Sequence, residues 1–365
     1  MRVRMLVFLG APGLLGVGLA SRLPVAGAPL SGPAAATLLE TGVVALASVG
    51  DGSLILATKS EPGGEAVFLT QGGRPTKRIP LGAGQVVFPA AGGGYYVKGT
   101  GGRVTLVGPT GLPVRSFRIG LGSVALGMSG RLYVGETGGD NFGRIYGPTG
   151  AFIGSFGSSV SRKTGTKSEK DTLNSGLVTP APRGGFYFVT RFRPEPMAYR
   201  FSDDGEVAAQ FTVNGSSIEL QRPHAEGSLA RRSADSSVGG VNVISAVAVD
   251  PVSEHLWVAV PASTETGVLV EYSPKGAKIA EYQLRDSRGE PILMVEGLAL
   301  DAEYLYLVSG NKSLYRYARR DLSRSARMSQ ALRPPAWFSN KLLPSSYASG
   351  CPTEPFLPGP DPTFV

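Results

Sequence analysis

Short runs of alternating apolar and polar residues recur along most of this chain. Six of them start beside a turn-forming or acidic residue and continue with branched or aromatic side chains. A period of two is typical of β-strands. The pattern therefore predicts six related strands, which begin near Ser53, Gly93, Gly130, Gly184, Glu254 and Glu303.

A second repeated unit follows these runs and has the form of a β-hairpin. An aromatic or branched residue precedes a Gly-containing turn, and a further apolar run follows, as in YGPTGAFIGSF and YSPKGAKIAEY. Gly tolerates the positive φ that tight hairpin turns demand. The predicted turn glycines are Gly73, Gly111, Gly150, Gly205 and Gly276.

A third unit, made of small and apolar residues such as VVALAS and EGLALD, precedes each first run. Such residues suit an inner strand beside a central channel, and repeats of about 40 residues mark propellers. The fold prediction is an all-β, six-bladed β-propeller with four-stranded antiparallel blades. Long helices are not expected, because Gly is 51 of 365 residues and charged residues are only 18%. The blades are predicted to start near residues 43, 85, 123, 177, 244 and 295.

The sixth unit lacks a clear fourth strand, since the chain turns polar and basic after SLYRYARR. Residues 36–40 precede the first inner strand and predict an N-terminal strand latch that closes the ring. The alternative source of this strand is residues 326–332, whose helix-tolerant composition suits a strand less well.

The chain ends differ in composition from the repeats. Residues 1–28 predict a signal peptide, with Arg2 and Arg4 before an apolar run and small residues. An uncleaved anchor helix is the alternative, which Pro12 and four glycines disfavour. The prediction is an exported bacterial protein, periplasmic or secreted, with no transmembrane segment in the mature chain. Residues 29–320 form the predicted propeller, and residues 321–365 a basic and then Pro-rich C-terminal tail.

The net charge of +8 resides mainly at the two ends of the chain. The predicted signal peptide carries three arginines, residues 316–333 are rich in arginine, and the remainder is neutral. A neutral body argues against a groove that follows nucleic-acid phosphates. The predicted partner is therefore a protein or small-molecule ligand and no nucleic acid, while the oligomeric state is left open.

One stretch resembles a known family. Residues 132–157, LYVGETGGDNFGRIYGPTGAFIGSFG, look like an NHL repeat with an Asn-x-x-Arg-Ile core, and GLALD and AVAVD resemble its inner strand. The resemblance to NHL-like and TolB-like six-bladed propellers spans about residues 40–320. It implies a fold and a binding platform, and it leaves the function open because such propellers include binding modules, lyases and hydrolases.

In that topology one face of the ring carries the connections into each next blade, and two long insertions fall there, residues 158–175 and 213–243. A lid over the channel and solvated loops are both open interpretations. Polar side chains near the same face are the candidate ligand-binding residues. They are Lys98, Glu136, Asp140, Asn141, Arg191, Arg193, Arg222, His224, Glu296 and Asn311.

The candidate chemistry is binding rather than catalysis. Arg191, Arg193 and Lys98 are the residue types that receive a carboxylate or phosphate, although ordinary polar loop residues would show the same pattern. With two histidines and no G-x-S-x-G motif, no catalytic residue, metal site or cofactor is assigned. The predicted function is an exported binding or scaffold module for a protein or small anionic ligand. The alternative is a calcium-dependent hydrolase or lyase that uses oxygens of Glu296, Asn141 and Asp140.

Overall fold

The structure is a computed structural model of the 365-residue chain. It describes the backbone of four strands at residues 28–29, 37–40, 43–48 and 54–59, and then residues 64–319 with gaps. The gaps are residues 71–74, 83–84, 91–93, 121, 137–139, 159–165, 235–239, 262–266 and 311. The predicted signal peptide up to residue 27 and the tail beyond residue 320 lie outside the described residues.

Strands dominate the described residues. Two short strands, β1 (Ala28–Pro29) and β2 (Thr37–Glu40), come first. The first two sheets then use β3 (Val43–Ser48), β4 (Leu54–Lys59), β5 (Gly64–Leu69) and β6 (Pro75–Leu81), followed by β7 (Val86–Pro89), β8 (Tyr95–Lys98), β9 (Arg103–Val107) and β10 (Pro113–Arg118).

The third and fourth sheets repeat this arrangement. Their strands are β11 (Val124–Leu126), β12 (Leu132–Gly135), β13 (Gly143–Tyr146) and β14 (Phe152–Phe156), then β15 (Gly176–Pro180), β16 (Phe186–Thr190), β17 (Met197–Phe201) and β18 (Val207–Thr212). The fifth and sixth sheets contain β19 (Ala246–Val249), β20 (Leu256–Val260), β21 (Val268–Tyr272) and β22 (Lys278–Gln283), then β23 (Val295–Leu300), β24 (Tyr304–Ser309) and β25 (Leu314–Ala318).

The strands from β3 to β25 pair within each sheet as antiparallel neighbours in chain order. The innermost strands contact one another in sequence, from β3 through β7, β11, β15, β19 and β23, and β23 contacts β3 again. Sheets that radiate from a ring of inner strands define the β-propeller class. The protein is therefore an all-β propeller with four-stranded antiparallel blades, as predicted.

One detail of this architecture was not predicted. Five sheets have four strands, but the fifth sheet has five because β1 pairs parallel to the outer strand β22. The strand β1 is added to the four antiparallel strands of that sheet. The physical reason is that an outermost strand presents unpaired backbone groups that accept a further segment. The strand β2 pairs with β25 at the edge of the sixth sheet.

The core lies between neighbouring sheets. All five residues of β16 are buried, while β10 is exposed along most of its length. Tyr133 of the third sheet stacks on Phe186 of the fourth with ring centroids 4.0 Å apart, and Phe142 stacks on Phe188 at 4.7 Å. Burying each such ring stabilises the fold by about 1.5 to 3 kcal/mol. Aromatic residues of the second strands therefore hold adjacent blades together.

The two predicted insertions contain helices. The helix α1 (Lys167–Leu173) begins after Thr166, whose hydroxyl accepts a hydrogen bond from the Glu169 backbone N at 3.2 Å. The helix α2 (Ser216–Ala234) has 19 residues and includes Pro223. The expectation that long helices are missing is therefore wrong for residues 216–234.

Docking onto the fourth and fifth sheets explains why α2 forms in a sequence with weak helical periodicity. Ile218, Ala225 and Leu229 are buried, and Gln221 Nε2 donates a hydrogen bond to the Pro261 carbonyl at 2.9 Å. Tertiary packing supplies most helical stability in proteins. Neither of the two helices that the structure describes has the length and apolar character needed to cross a bilayer.

Candidate anion site at the channel mouth

Antiparallel pairing brings the end of each second strand beside the start of the innermost strand. Lys98 pairs with Val86, and Thr190 pairs with Gly176. Because the innermost strands surround the axis, residues that follow the second strands open at one end of the channel. We call this end the channel-mouth face. The opposite end, which carries the hairpin turns at Gly111, Gly150, Gly205 and Gly276, is the turn face.

Arg191 follows β16 directly at the channel-mouth face. Its backbone N donates to the Ser175 carbonyl at 3.0 Å, and its carbonyl accepts from the Val243 N at 2.9 Å. The guanidinium Nε is buried without a hydrogen-bond partner among the described residues. Burial lowers the pKa of Arg191, and the negative charge of Glu296 partly offsets this effect. The backbone thus holds an arginine whose bonding capacity is incompletely used.

The charge of Glu296 acts on Arg191 from another sheet. Arg191 follows β16 of the fourth sheet, and Glu296 lies on β23 of the sixth, with the fifth sheet between them. Glu296 also forms an ion pair with Lys312. Glu296 therefore favours the charged form of Arg191, but it forms no hydrogen bond with Arg191 that the structure describes.

Lys98 is a second cation at this face, and it is half-buried. It ends β8, and its Nζ donates a hydrogen bond to the Gly122 carbonyl at 2.5 Å. Burial lowers the pKa of Lys98. Lys98 and Arg191 form no ion pair with any residue in the described ranges. An ammonium group has three donors, so Lys98 retains capacity for another acceptor.

Asn242 is a site residue that the sequence reasoning missed. Its Oδ1 is buried without a hydrogen-bond partner among the described residues. It directly precedes Val243, whose backbone N binds the Arg191 carbonyl. One unused donor and one unused acceptor therefore lie at the same junction between the fourth and fifth sheets. The only available sequence signal was its position shortly before an inner strand.

Several predicted site residues have structural partners instead. Glu136 Oε2 lies 3.1 Å from Arg144 Nε. Arg193 donates from Nε to the Leu173 carbonyl at 2.7 Å and from Nη2 to Asn174 Oδ1 at 3.3 Å, so it holds the end of α1. These contacts use the charges of Glu136 and Arg193 within the fold.

The remaining candidates lie apart from this junction. Arg222 on α2 pairs with Glu195 at 2.9 Å and with Glu219 at 2.8 Å. His224 is exposed on the same helix, and Asp140 and Asn141 are exposed in the loop before β13. Asn311 lies outside the described residues.

No three His, Cys, Asp or Glu side chains within the described residues come together as a metal-binding group. Among the candidates for calcium, Glu296 is engaged by Lys312 while Asp140 and Asn141 are exposed. The arrangement that does emerge is cationic. Arg191 and Asn242 lie at the junction of the fourth and fifth sheets, and Lys98 lies on the second sheet at the same face.

Comparisons with known proteins bear little on function. No family model matches the chain, and no curated protein matches it. Among solved structures, a virginiamycin B lyase from Staphylococcus aureus is similar at 9% identity, covering 76% of this chain and 95% of that one, with a TM-score of 0.47.

Two further structures show similar values. The WD40 β-propeller domain of Doa1 shares 9% identity over 76% of this chain and 79% of its own, with a TM-score of 0.46. BamB from Moraxella catarrhalis shares 11% identity over 76% of this chain and 85% of its own, with a TM-score of 0.41. Because every one of these TM-scores is below 0.5, we base the fold on the sheet order alone.

Proposed function

We propose that this protein is an exported binding protein that takes a small anionic ligand at the channel-mouth face. The observation that carries the proposal is Arg191, a half-buried cation with no ion pair among the described residues and a buried Nε without a hydrogen-bond partner there. A buried charge costs free energy unless it is paired and hydrogen-bonded. A bound carboxylate or phosphate supplies the missing charge and the missing acceptors together.

The neighbouring groups narrow the class of ligand. Arginine binds a carboxylate or phosphate through two parallel hydrogen bonds, and Lys98 adds a second positive charge on the same face. The free Oδ1 of Asn242 requires a donor, such as a hydroxyl or an amine. The proposed ligand therefore combines an anionic group with a hydroxyl or amino group, as small hydroxy acids and amino acids do.

The test is calorimetric titration of the mature protein with four probes: citrate, malate, glutamate and inorganic phosphate. We expect at least one probe to bind, and Arg191→Met to weaken its affinity by more than about tenfold, because truncating one partner of a buried charge pair costs about 2 kcal/mol or more. Lys98→Met is expected to weaken binding less. Arg183→Met is the matched control, since Arg183 is exposed on the turn face. Equal affinity of Arg191→Met and the parent protein would contradict the proposal.

We also propose that the ring is six-bladed and that β2 acts as a latch by serving as the outer strand of the sixth blade. The pairing of β2 with β25 supports this idea. Deleting residues 29–41 would then expose an unpaired edge and lower the melting temperature strongly. Deleting residues 333–365, which have no strand pattern, is expected to change it little. If the first deletion melts like the full mature protein, the latch lies elsewhere.

We also propose that the protein is exported and that it is related to NHL-like propellers. They rest on the basic and apolar residues of 1–28 and on the motif in residues 132–157. N-terminal sequencing of the protein from a bacterial envelope fraction tests the first. A mature chain that starts near residue 21 or 29 is expected, and an intact Met1 would contradict a cleaved signal.

A further inference from the structure

The charges of the propeller body are distributed unevenly around the ring. Residues 66–135, from β5 to β12, contain no aspartate or glutamate. The same residues contain eight basic side chains, which are Arg74, Lys77, Arg78, Lys98, Arg103, Arg115, Arg118 and Arg131. The second sheet lies wholly within this stretch, so its surface carries positive charge only.

Two arginines of the second sheet lie directly opposite each other. Arg118 on the outermost strand β10 pairs in register with Arg103 on β9, and both are exposed. Neither forms an ion pair with another described residue. Like charges directly opposite each other destabilise a sheet. The fold therefore accepts an unfavourable pair at an exposed edge.

The cations flank this edge on both faces of the sheet. Side chains of a strand alternate between faces, so Ser116 and Arg118 share one face while Arg115 and Phe117 share the other. The hydrogen bond of 2.9 Å between Ser116 and Thr105 marks the first face. Phe117 marks the second face, since it packs edge-on against Tyr96. Positive charge thus lies above and below the free edge of β10.

The edge itself can pair with another strand. The strand β10 is the outermost of its sheet, and its exposed Val114 offers an apolar contact beside the arginines. The equivalent edge of the fifth sheet does accept an added strand, because β1 pairs with β22. Arginine and Pro113 also protect an edge against unwanted pairing, but edge protection does not require Arg103 on the neighbouring strand β9.

We propose that the outer edge of the second sheet is a docking site for an extended acidic segment of a partner protein, which adds as a strand beside β10. Strand addition forms main-chain hydrogen bonds, and alternating side chains of the partner reach both faces of the sheet. Carboxylates on these side chains can reach Arg115 on one face and the Arg103 and Arg118 pair on the other. A flat anionic lipid surface cannot meet cations on both faces of one sheet, so the geometry favours a polypeptide.

This site lies on the outer rim and does not depend on the channel-mouth ligand. Its test uses an eight-residue probe of about four Glu-Val repeats, labelled for fluorescence anisotropy. We expect the peptide to bind the mature protein at low ionic strength and to slow hydrogen exchange at the backbone amides of β10. The double variant Arg103→Glu with Arg118→Glu should weaken binding by at least about tenfold. Arg288→Glu, an exposed substitution outside the second sheet, should change it little.

A peptide of opposite charge distinguishes a charge effect from a folding defect in the double variant. The double variant should bind a Lys-Val peptide that the parent protein does not bind. Vesicles of anionic phosphatidylglycerol provide the remaining arm. Three results would overturn the proposal. The first is binding to these vesicles without protection of the β10 amides, and the second is that Arg288→Glu reduces peptide affinity as much as the double variant does. The third is that the parent protein does not bind the peptide.

Discussion

Arginine and lysine side chains of the described residues are paired with acids at one end of the channel, whereas two of them lack such a pair at the other. At the turn face, Arg131 Nη1 lies 2.5 Å from Asp204 Oδ1, and Arg319 forms an ion pair with Asp250. The Tyr133 hydroxyl of the third sheet donates to the Asp203 carboxylate of the fourth sheet. At the channel-mouth face, Lys98 and Arg191 are half-buried, and neither forms an ion pair with a described residue.

This difference indicates that the turn-face charges stabilise the fold and that Lys98 and Arg191 are available to bind a ligand. The turn-face contacts join neighbouring sheets, so their hydrogen bonds are formed once the ring has folded. The channel-mouth cations keep unused donors at a cost in free energy, which is the usual cost of a binding site. Substitutions at the turn face should therefore lower stability, whereas substitutions of the channel-mouth cations should lower binding alone.

The largest expected effect is alkaline unfolding through buried tyrosines. Burial first, and neighbouring carboxylates second, raise the pKa of Tyr133 and Tyr306 above the ordinary value near 10. Because the folded-state pKa is the higher one, this stabilisation is complete below about pH 10 and is lost as the pH rises further. Each unit of difference corresponds to about 1.4 kcal/mol.

Urea unfolding between about pH 8 and pH 12 measures this loss, which several buried tyrosines share. Tyr306→Phe is the control, since it removes one titrating group and should make the alkaline loss shallower. A free energy of unfolding that stays constant above pH 10 would contradict the assignment.

The next effect is the loss of a turn-face carboxylate. Asp203→Ala removes the carboxylate that accepts a hydrogen bond from the Tyr133 hydroxyl. It also removes Asp203 Oδ1 as the acceptor for the Gly185 backbone N, which lies 2.9 Å from it in the parent protein. We expect the free energy of unfolding to fall by about 2 to 3 kcal/mol with ligand affinity unchanged. Asp204→Ala, at an exposed carboxylate, should cost less than about 1 kcal/mol. Weaker ligand binding by Asp203→Ala would break the division between the two faces.

Arg191→Met should behave in the opposite way. Removing a half-buried cation that lacks an ion pair is expected to leave the free energy of unfolding unchanged or to raise it by about 1 kcal/mol. Thermal melts without ligand measure this change. Arg193→Met is the comparison variant, because it loses two hydrogen bonds at the end of α1 and should be less stable. A clear loss of stability in Arg191→Met would mean that Arg191 serves packing.

The smallest effect concerns the attachment of α2. Burial raises the pKa of Glu281, but hydrogen bonds from Ser217 and Ser216 and the charge of Lys278 outweigh it, so the net pKa is lowered. With a lowered folded-state pKa, the stabilisation is present above the ordinary value near 4.5 and is lost as the pH falls. Glu281→Gln should cost about 1 kcal/mol at neutral pH.

Urea unfolding at about pH 7 and pH 3 tests this point. The difference in stability between the parent protein and Glu281→Gln should shrink at the lower pH. A constant difference at both values would show that the carboxylate charge of Glu281 does not anchor α2.

Local patterns were enough to predict the strands but not the helices. The alternation in GRLYVGE and GGFYFVT reflects strands whose aromatic side chains pack against a neighbouring sheet, so each run identifies its own conformation. The helix α2 contains Pro223 and few apolar residues, and it forms because Ile218 and Ala225 are buried in a cluster with residues of the fourth and fifth sheets. No periodicity within residues 216–234 reports those contacts.

The candidate site was likewise predicted only in part from the sequence. Lys98 and Arg191 were identified from the sequence because each stands at the end of a predicted second strand, and strand order alone brings such positions to one end of a propeller. Which cation remains unpaired was decided by the tertiary structure, since Arg222 meets Glu195 while Arg191 meets no acid at bonding distance. Alternation of side chains is a property of neighbouring residues and is readable along the chain. The partner of a charge depends on residues brought together by folding, and for that reason only the assembled ring distinguishes a structural arginine from one available to a ligand.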